Sequence, residues 1–309
     1  MKIAILTSGI LPVPAAHGGA VENLVDFYLE YNDQHRLHDI TVYSVWHPDV
    51  KDHPALMSEV NHYKYIMVDS LVSKIRKAVY KKRHHNEYYH YTIEYFLEQA
   101  LKHIRKEHYD TIIVENRPGF VLKLKKRTNS KLILHLHNDF LNLNTRDAKY
   151  IFDGFDGIVS VSEYITRRIQ EISPDAIKCK TVHNAIDWQQ FHTATATQRG
   201  TLGLSEKDFV IVYSGRLTKE KGIMQLIQTI KQIHDIDNLK LLIIGASSYG
   251  KDMRPTSFIN QLEKESAPIH EKVVFTGFID YKRMPSCLKS ANMAIIPSMW
   301  EEPFGLTVV

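Results

Sequence analysis

Only two of the 309 residues are cysteine, Cys179 and Cys287. They lie far apart and fit no CxxC pattern, which excludes the common zinc and dithiol redox motifs. Two unpaired thiols suit a reducing compartment. Long hydrophobic runs are missing as well. No stretch approaches the ~20 apolar residues of a membrane-spanning helix. The first run, "IAIL", is too short for a secretory signal core, and no cleavage site follows it. A chain made and kept in the cytoplasm is the expectation. No Gly-x-Gly-x-x-Gly occurs, which disfavours a dinucleotide oxidoreductase. An excess of one charge is also absent. Lys and Arg number 39 against 35 Asp and Glu, a formal net charge of +4. That is too weak to argue for nucleic acid without a localised patch.

What is present reads as a folded protein of two ordinary domains, with 44% hydrophobic and 24% charged residues. Short runs rich in Val and Ile recur: "KIAILT", "ITVYSV", "TIIVE", "KLILHLH", "GIVSVS", "KTVHN", then "FVIVYSG", "KLLIIGA", "VVFTGF" and "MAIIP". They are apolar throughout, as strands buried on both faces of a parallel sheet should be. Between them lie helical patterns. Val21, Leu24, Val25, Tyr28 and Leu29 form one stripe; Ile93, Phe96, Leu97, Leu101 and Ile104 form another. "SEYITRRIQEI" opens with Ser162, a good N-cap. Repeated strand–helix units imply a doubly wound α/β architecture. Two blocks are expected, 1–193 and 203–309, joined by a polar stretch within "HTATATQRGTLGLSEKD". Two such blocks would face each other across a cleft lined by strand C-termini.

The loops at the strand ends carry the chemistry. Gly18 and Gly19 precede a helix, where backbone N–H groups and the helix N-terminus favour an anion, although Gly-Gly also makes a plain flexible turn. The expected fourth strand ends "HLHNDF". His135 and His137, separated by Leu136, are expected on opposite faces, which argues against one shared metal. A buried structural histidine is the simpler reading of either, but His137 lies nearer the C-terminal edge. In "YSGRLTKEKGIMQLI", Arg216 and Lys221 flank a polar turn and Gly222 opens a helix. An Arg fork and a mobile Lys cation beside a helix start suit a diphosphate. A solvated charged loop is the plainer alternative, weakened by "PSMWEEPFG" at the end of another strand in the same block.

Taken in order, "HGG", "HLHNDF", "VSVSEYI", "VHNAIDWQQF", "YSGRLTKEKGI", "LLIIGAS", "VVFTGFI" and "IIPSMWEEPFGL" resemble the retaining glycosyltransferases of family 4, which have the GT-B fold. The resemblance implies two Rossmann-like domains, an acceptor domain and a donor-binding domain. It implies a nucleotide-sugar donor whose diphosphate is gripped by Arg216 and Lys221, with no metal and no cofactor. Glu302 matches the first acid of a Glu-x7-Glu motif that meets the donor sugar; Glu301 is the neighbouring alternative. Amides around Phe304, Gly305 and Leu306 would contact sugar or phosphate oxygens. Gly19 would approach the donor phosphate or the acceptor, and His137 the donor sugar. Two departures stand out. Ala185 follows Asn184 where the family often has Gly, so backbone strain is expected there. The second Glu of the motif would follow Val309, so a C-terminally truncated second domain is expected, with exposed apolar sheet surface and doubtful activity.

The segment "IIVENRPGF" resembles an edge strand and loop of bacterial polysaccharide glycosyltransferases, pointing to cell-surface polysaccharide synthesis and a saccharide or lipid-linked acceptor. Within "SKIRKAVYKKRHHNEYYHY", Lys74, Arg76, Lys77, Lys81, Lys82, Arg83, His84 and His85 gather beside Tyr88, Tyr89 and Tyr91. This Lys74–Arg83 segment could rest on an anionic membrane at the inner face; a solvated basic helix face is the ordinary alternative. RNA binding is weaker, since no RNA-binding module accompanies the charge. Beside the enzyme stand two other readings: a non-catalytic binding remnant, and a sugar-nucleotide epimerase that "EPFG" argues against.

Overall fold

The computed structural model describes residues 1–83, 91–173, 176–246 and 256–309. The chain divides into two compact units, Met1–Asn184 and Ala185–Val309.

The first unit is built on seven parallel strands: β1 Lys2–Leu6, β2 Asp39–Val45, β3 Asn61–Ile66, β4 Thr111–Glu115, β5 Lys131–Leu136, β6 Gly157–Ser160 and β7 Cys179–Thr181, in the order β3-β2-β1-β4-β5-β6-β7. Apolar residues alternate between two layers. Ala4 and Leu6 of β1 join a core with Phe96, Leu97 and Ile104, while Ile3 and Ile5 pack with Val25 and Leu29. The helices that supply those residues are α1 Ala20–His35 and α3 Tyr91–Ile104, with α2 Leu71–Arg83 between them. Sheets covered on both faces need apolar residues at every strand position, which is why the runs are continuous rather than alternating. Ser162 caps the helix Glu163–Gln170, accepting from Ile165 N at 3.3 Å.

The second unit has four parallel strands: β8 Phe209–Ser214, β9 Leu239–Ile244, β10 Val273–Gly277 and β11 Met293–Ala294, in the order β10-β9-β8-β11. Val210, Val212, Leu242 and Ile244 bury on one face, and Tyr213, Leu239, Leu241 and Ile243 on the other. On the β11 edge Met293 and Ile296 are exposed.

All ten apolar runs contain strands, but β3 has no counterpart among them. It is a sheet edge of polar and aromatic residues, "NHYKYI", with Tyr63 and Tyr65 stacked at 6.2 Å. An edge strand has less need of apolar residues on both faces, so its pattern is weak. The strand ending at His135 and His137 is therefore the fifth and not the fourth. "IIVE" is not an edge either, because β4 pairs with both β1 and β5. Ala185 is absent from the non-glycine residues with positive φ, which among the described residues are Arg36, Asn116 and Asp147, so the expected strain does not arise. The stretch expected as a linker is tied into the second unit: Thr197 N donates to Ser286 O, and the Arg199 guanidinium to Ser290 O and Asn292 Oδ1. Both cysteines are free. No described helix is long and apolar enough to cross a membrane.

In each sheet the connections run one way from a central strand and then return to its other side. The reversal falls between β1 and β4 in the first unit and between β8 and β11 in the second. Ligands of open α/β sheets bind beyond the strand C-termini at such points.

Candidate active site

At the first reversal, β1 ends in Thr7 and Ser8, and the chain loops back through Gly18 and Gly19 into α1. Gly19 has φ 105°, and a Cβ there would lie 2.3 Å from Glu22 Oε2. Glycine is needed for both the dihedral and the close approach. Glu22, in the first turn of α1, is only 5% exposed and accepts from Ser8 Oγ at 3.3 Å. Burial raises its pKa to about 7, against the hydrogen bonds that favour the anion.

Across the reversal, β4 ends in the fully buried Glu115. Its Oε2 accepts from His137 Nε2 at 2.8 Å and His135 Nδ1 at 3.2 Å, and the two rings are 4.2 Å apart. This corrects the expectation that the histidines face opposite ways. Side chains alternate along a strand, so residues two apart share a face. Burial works to raise the Glu115 pKa, but the charge of His135 and the hydrogen bonds of both imidazoles hold it at about 2. Burial opposes a charge on His135, yet Glu115 raises its pKa above the ordinary value. Burial dominates at His137 and lowers its pKa. The arrangement is therefore a carboxylate that favours the charged form of His135, while burial favours the neutral form of His137. The next residue, Asn116, has φ 59° and accepts from His137 N through Oδ1 at 3.2 Å. Arg117 then donates from Nε to Ser8 O at 2.9 Å, closing the edge between β4 and β1.

At the second reversal, β8 runs through Gly215 and Arg216 into the 3-10 turn Lys219–Lys221, and Gly222 caps the helix Ile223–Gln232. Gly222 has φ 70°, and a Cβ there would lie 1.9 Å from Pro297 O. This contact seats the loop after β8 directly against the loop after β11. The second loop brings Glu302, which accepts from Lys221 Nζ and from Ser298 Oγ, both at 2.6 Å. Burial would raise the Glu302 pKa, but bonds from Lys221, Ser298 and Trp300 lower it on balance. Lys221 also lies 5.7 Å from the Trp300 ring centre. Arg216 is exposed, with Nη2 4.0 Å from Glu220 Oε1. Glu301 is exposed, whereas Phe304, Gly305 and Leu306 are half-buried, with Gly305 at φ 80° opening the turn Leu306–Val308.

Thus Arg216, Lys221, Glu302 and Phe304–Leu306 gather in the second unit, and Gly19 and His137 flank the sheet reversal of the first. Sequence reasoning missed Glu22, Glu115, Asn116 and Arg117. The available signal was an acid three residues after Gly-Gly and a charged Glu-Asn-Arg at a strand end. Two clusters among the described residues bring three metal-ligating atoms within 4.8 Å of one another: Glu115, His135 and His137, and His17, His47 and Asp49. In both, the acid already hydrogen-bonds histidine, as His17 Nε2 does Asp49 Oδ2 at 3.0 Å.

Residues 24–190 match the model described as Glycosyltransferase Family 4, and 195–309 match Glycosyl transferases group 1. The chain is 27% identical over 321 residues to spore coat protein SA of Bacillus subtilis, covering 99% of this chain and 76% of that protein. It is 25% identical over 202 residues to a lipopolysaccharide 1,2-N-acetylglucosaminetransferase of Salmonella typhimurium, covering 64% and 51%. The structure of Anabaena HepE in complex with UDP-glucose superposes with a TM-score of 0.69 at 16% identity, covering 100% of this chain and 77% of that one. The first model alone spans more than half of the chain, which therefore belongs to the glycosyltransferases with the GT-B fold, a Family 4 domain followed by a group 1 domain.

Proposed function

We propose that the protein moves a sugar, with retention of configuration, from a nucleotide-sugar donor to a saccharide or lipid-linked acceptor in cell-surface polysaccharide synthesis. One observation carries the reading: Arg216, Lys221 and Glu302 share the strand C-terminal edge of the second unit, with Lys221 and Glu302 2.6 Å apart. A relative named as a lipopolysaccharide N-acetylglucosaminetransferase and a neighbour holding UDP-glucose support the substrate class.

The donor diphosphate leaves with growing negative charge. Arg216 offers a planar fork to its oxygens, and Lys221 a point charge. Glu302 and Ser298 fix the Lys221 side chain region in advance, so little reorganisation accompanies the reaction. Two cations in these places do what a divalent ion does elsewhere, and we assign no metal or cofactor to the site. Glu302 faces the donor sugar, and backbone amides at Phe304, Gly305 and Leu306 meet sugar or phosphate oxygens. In the first unit Gly19 keeps the loop open to an anion. His137, its Nε2 held by Glu115, orients the donor sugar or steadies developing charge. Arg216→Ala should lower turnover with any donor by ~100-fold or more. Unchanged turnover would refute the diphosphate role.

Peripheral contact with an anionic membrane belongs to the same reading. On α2, Leu71, Val72, Ile75 and Val79 are exposed apolar residues and Lys74 and Arg76 exposed cations. His84, His85, Tyr88 and Tyr89, and the side chains of Lys77, Lys81, Lys82, Arg83 and Tyr91, lie outside the described residues. An apolar stripe beside basic residues suits an acidic lipid surface. Flotation with vesicles should rise with anionic lipid content; no such dependence sinks the idea.

A further inference from the structure

We propose that a cavity at the C-terminal edge of β4 and β5 is a saccharide pocket that selects an anionic sugar, a carboxylate- or phosphate-bearing one, through Arg117. Calling that sugar the acceptor rests on the glycosyltransferase reading; the anion site stands on geometry within the first unit. The cavity has a volume of about 360 Å³ and is lined by Asn116, Arg117, Asp139, Phe140, Asn142 and Asn144 among others. That size lies at the lower end for small-molecule sites. Carboxamides both donate and accept, as hydroxyl groups require. Phe140 is 42% exposed, and such a ring can cover the apolar face of a pyranose.

The charge balance of the lining selects the ligand. Asp139 is already neutralised, since Arg168 Nε donates to Oδ2 at 3.1 Å and Asn142 Nδ2 to Oδ1 at 3.1 Å. Arg117 is not. It is half-buried, its Nε is spent on Ser8 O, and among the described residues no carboxylate oxygen lies within 4.0 Å of its guanidinium. Two acids nearby supply the missing charge only in part. Glu115 is bound to two histidines, and burial keeps Glu22 largely protonated below pH 7. Burial of the guanidinium, opposed by attraction to Glu22, depresses the Arg117 pKa. A partly desolvated guanidinium without a close anion is costly, and a ligand carboxylate or phosphate offsets that cost through two parallel hydrogen bonds. Asn116 fixes the place. Its left-handed backbone turns the chain out of β4 between the residue that holds His137 and the residue that lines the cavity.

The test is calorimetric titration of the full chain with glucose, glucuronic acid, glucose 6-phosphate and inorganic phosphate, repeated with Arg117→Gln. At least one acidic sugar should bind ~10-fold more tightly than glucose, and R117Q should abolish the difference. Preference for glucuronic acid assigns a carboxylate, preference for glucose 6-phosphate a phosphate. Equal binding of glucose and both acidic sugars overturns the proposal, as does a preference that survives in R117Q. Inorganic phosphate binding as well as the sugar phosphate also overturns it, since the pocket would then not read sugar. If R117Q does not fold, Arg117→Lys keeps the charge and loses the fork; it should lose most of the preference, and full retention counts against the proposal. The donor reading fails separately, through Arg216→Ala turnover, which needs no acidic sugar.

Discussion

The two sheet reversals hold their charges in opposite ways. In the first unit Glu115 is fully buried and met by two histidines on the same face of the neighbouring strand. In the second, Lys221 and Glu302 pair at 2.6 Å with about a fifth of each side chain exposed (21%). A buried ion needs its partners at all times, so the first arrangement is tied to folding. A pair in partial contact with water is worth little to stability and can be shared with a ligand. The first edge is a fixed frame that places His137 and Arg117. In the proposed reading the second offers its cations to an incoming diphosphate.

Removing one acid from each unit tests that contrast. Glu115→Ala should destabilise the first unit by ~3–5 kcal/mol, because a buried His135 loses its counter-charge. Glu302→Ala should cost the second unit about 1 kcal/mol or less. Each is read from hydrogen exchange of the amides in the central strands, β1 and β5 or β8 and β9, so that the units report separately. The pH dependence sharpens the first value. The native pKa of Glu115, about 2, lies below its ordinary 4.5, so the stabilisation is complete above pH 4.5 and fades as pH falls towards 2. Equal costs for the two substitutions would erase the distinction between frame and grip.

That distinction also governs what could be read from the sequence. The loops of the second unit carry their chemistry in contiguous letters, Arg216 to Gly222 and Ser298 to Gly305, because one turn after one strand presents each group. The buried cluster of the first unit draws on Ser8, Glu22, Glu115 and His137, which lie on or just beyond the ends of three strands and on a helix, and acquire meaning only once β1 lies between β2 and β4. Strand runs were legible because burial on both faces leaves few choices of residue; β3 was not, because an edge strand is free of that demand. The shared facing of His135 and His137 follows from strand alternation alone, since residues two apart lie on one face. The end of β4 shows the other limit. Glu115, Asn116 and Arg117 stand side by side in the chain, yet Glu115 holds two imidazoles, Asn116 turns the backbone and caps His137 N, and Arg117 lines the cavity beside Asn116. No spacing rule separates those duties.

A smaller effect tests the frame from the other side. Glu22 is the second buried acid of the first unit, and its pKa is displaced upward, from an ordinary 4.5 to about 7. The folded chain therefore holds this proton more tightly than the unfolded chain, and stability falls as pH climbs from 4.5 through 7. Glu22→Gln keeps the shape and removes the charge. At pH 5 the variant's advantage should be small, under about 1 kcal/mol, since the folded acid is still neutral there and only the unfolded one has begun to ionise. At pH 8 it should be the more stable, by at most about 3 kcal/mol for a displacement of that size. Urea unfolding followed at the first-unit amides at both pH values decides it. A variant with the same advantage at pH 5 and pH 8 would mean that Glu22 is not a buried acid titrating near neutrality. Glu115→Ala loses stability above pH 4.5, whereas the advantage of Glu22→Gln builds between pH 4.5 and 7 and is complete above 7. The two responses differ in sign because two histidines favour the Glu115 anion enough to outweigh its burial, while for Glu22 the start of α1, the Ser8 hydroxyl and the charge of Arg117 do not.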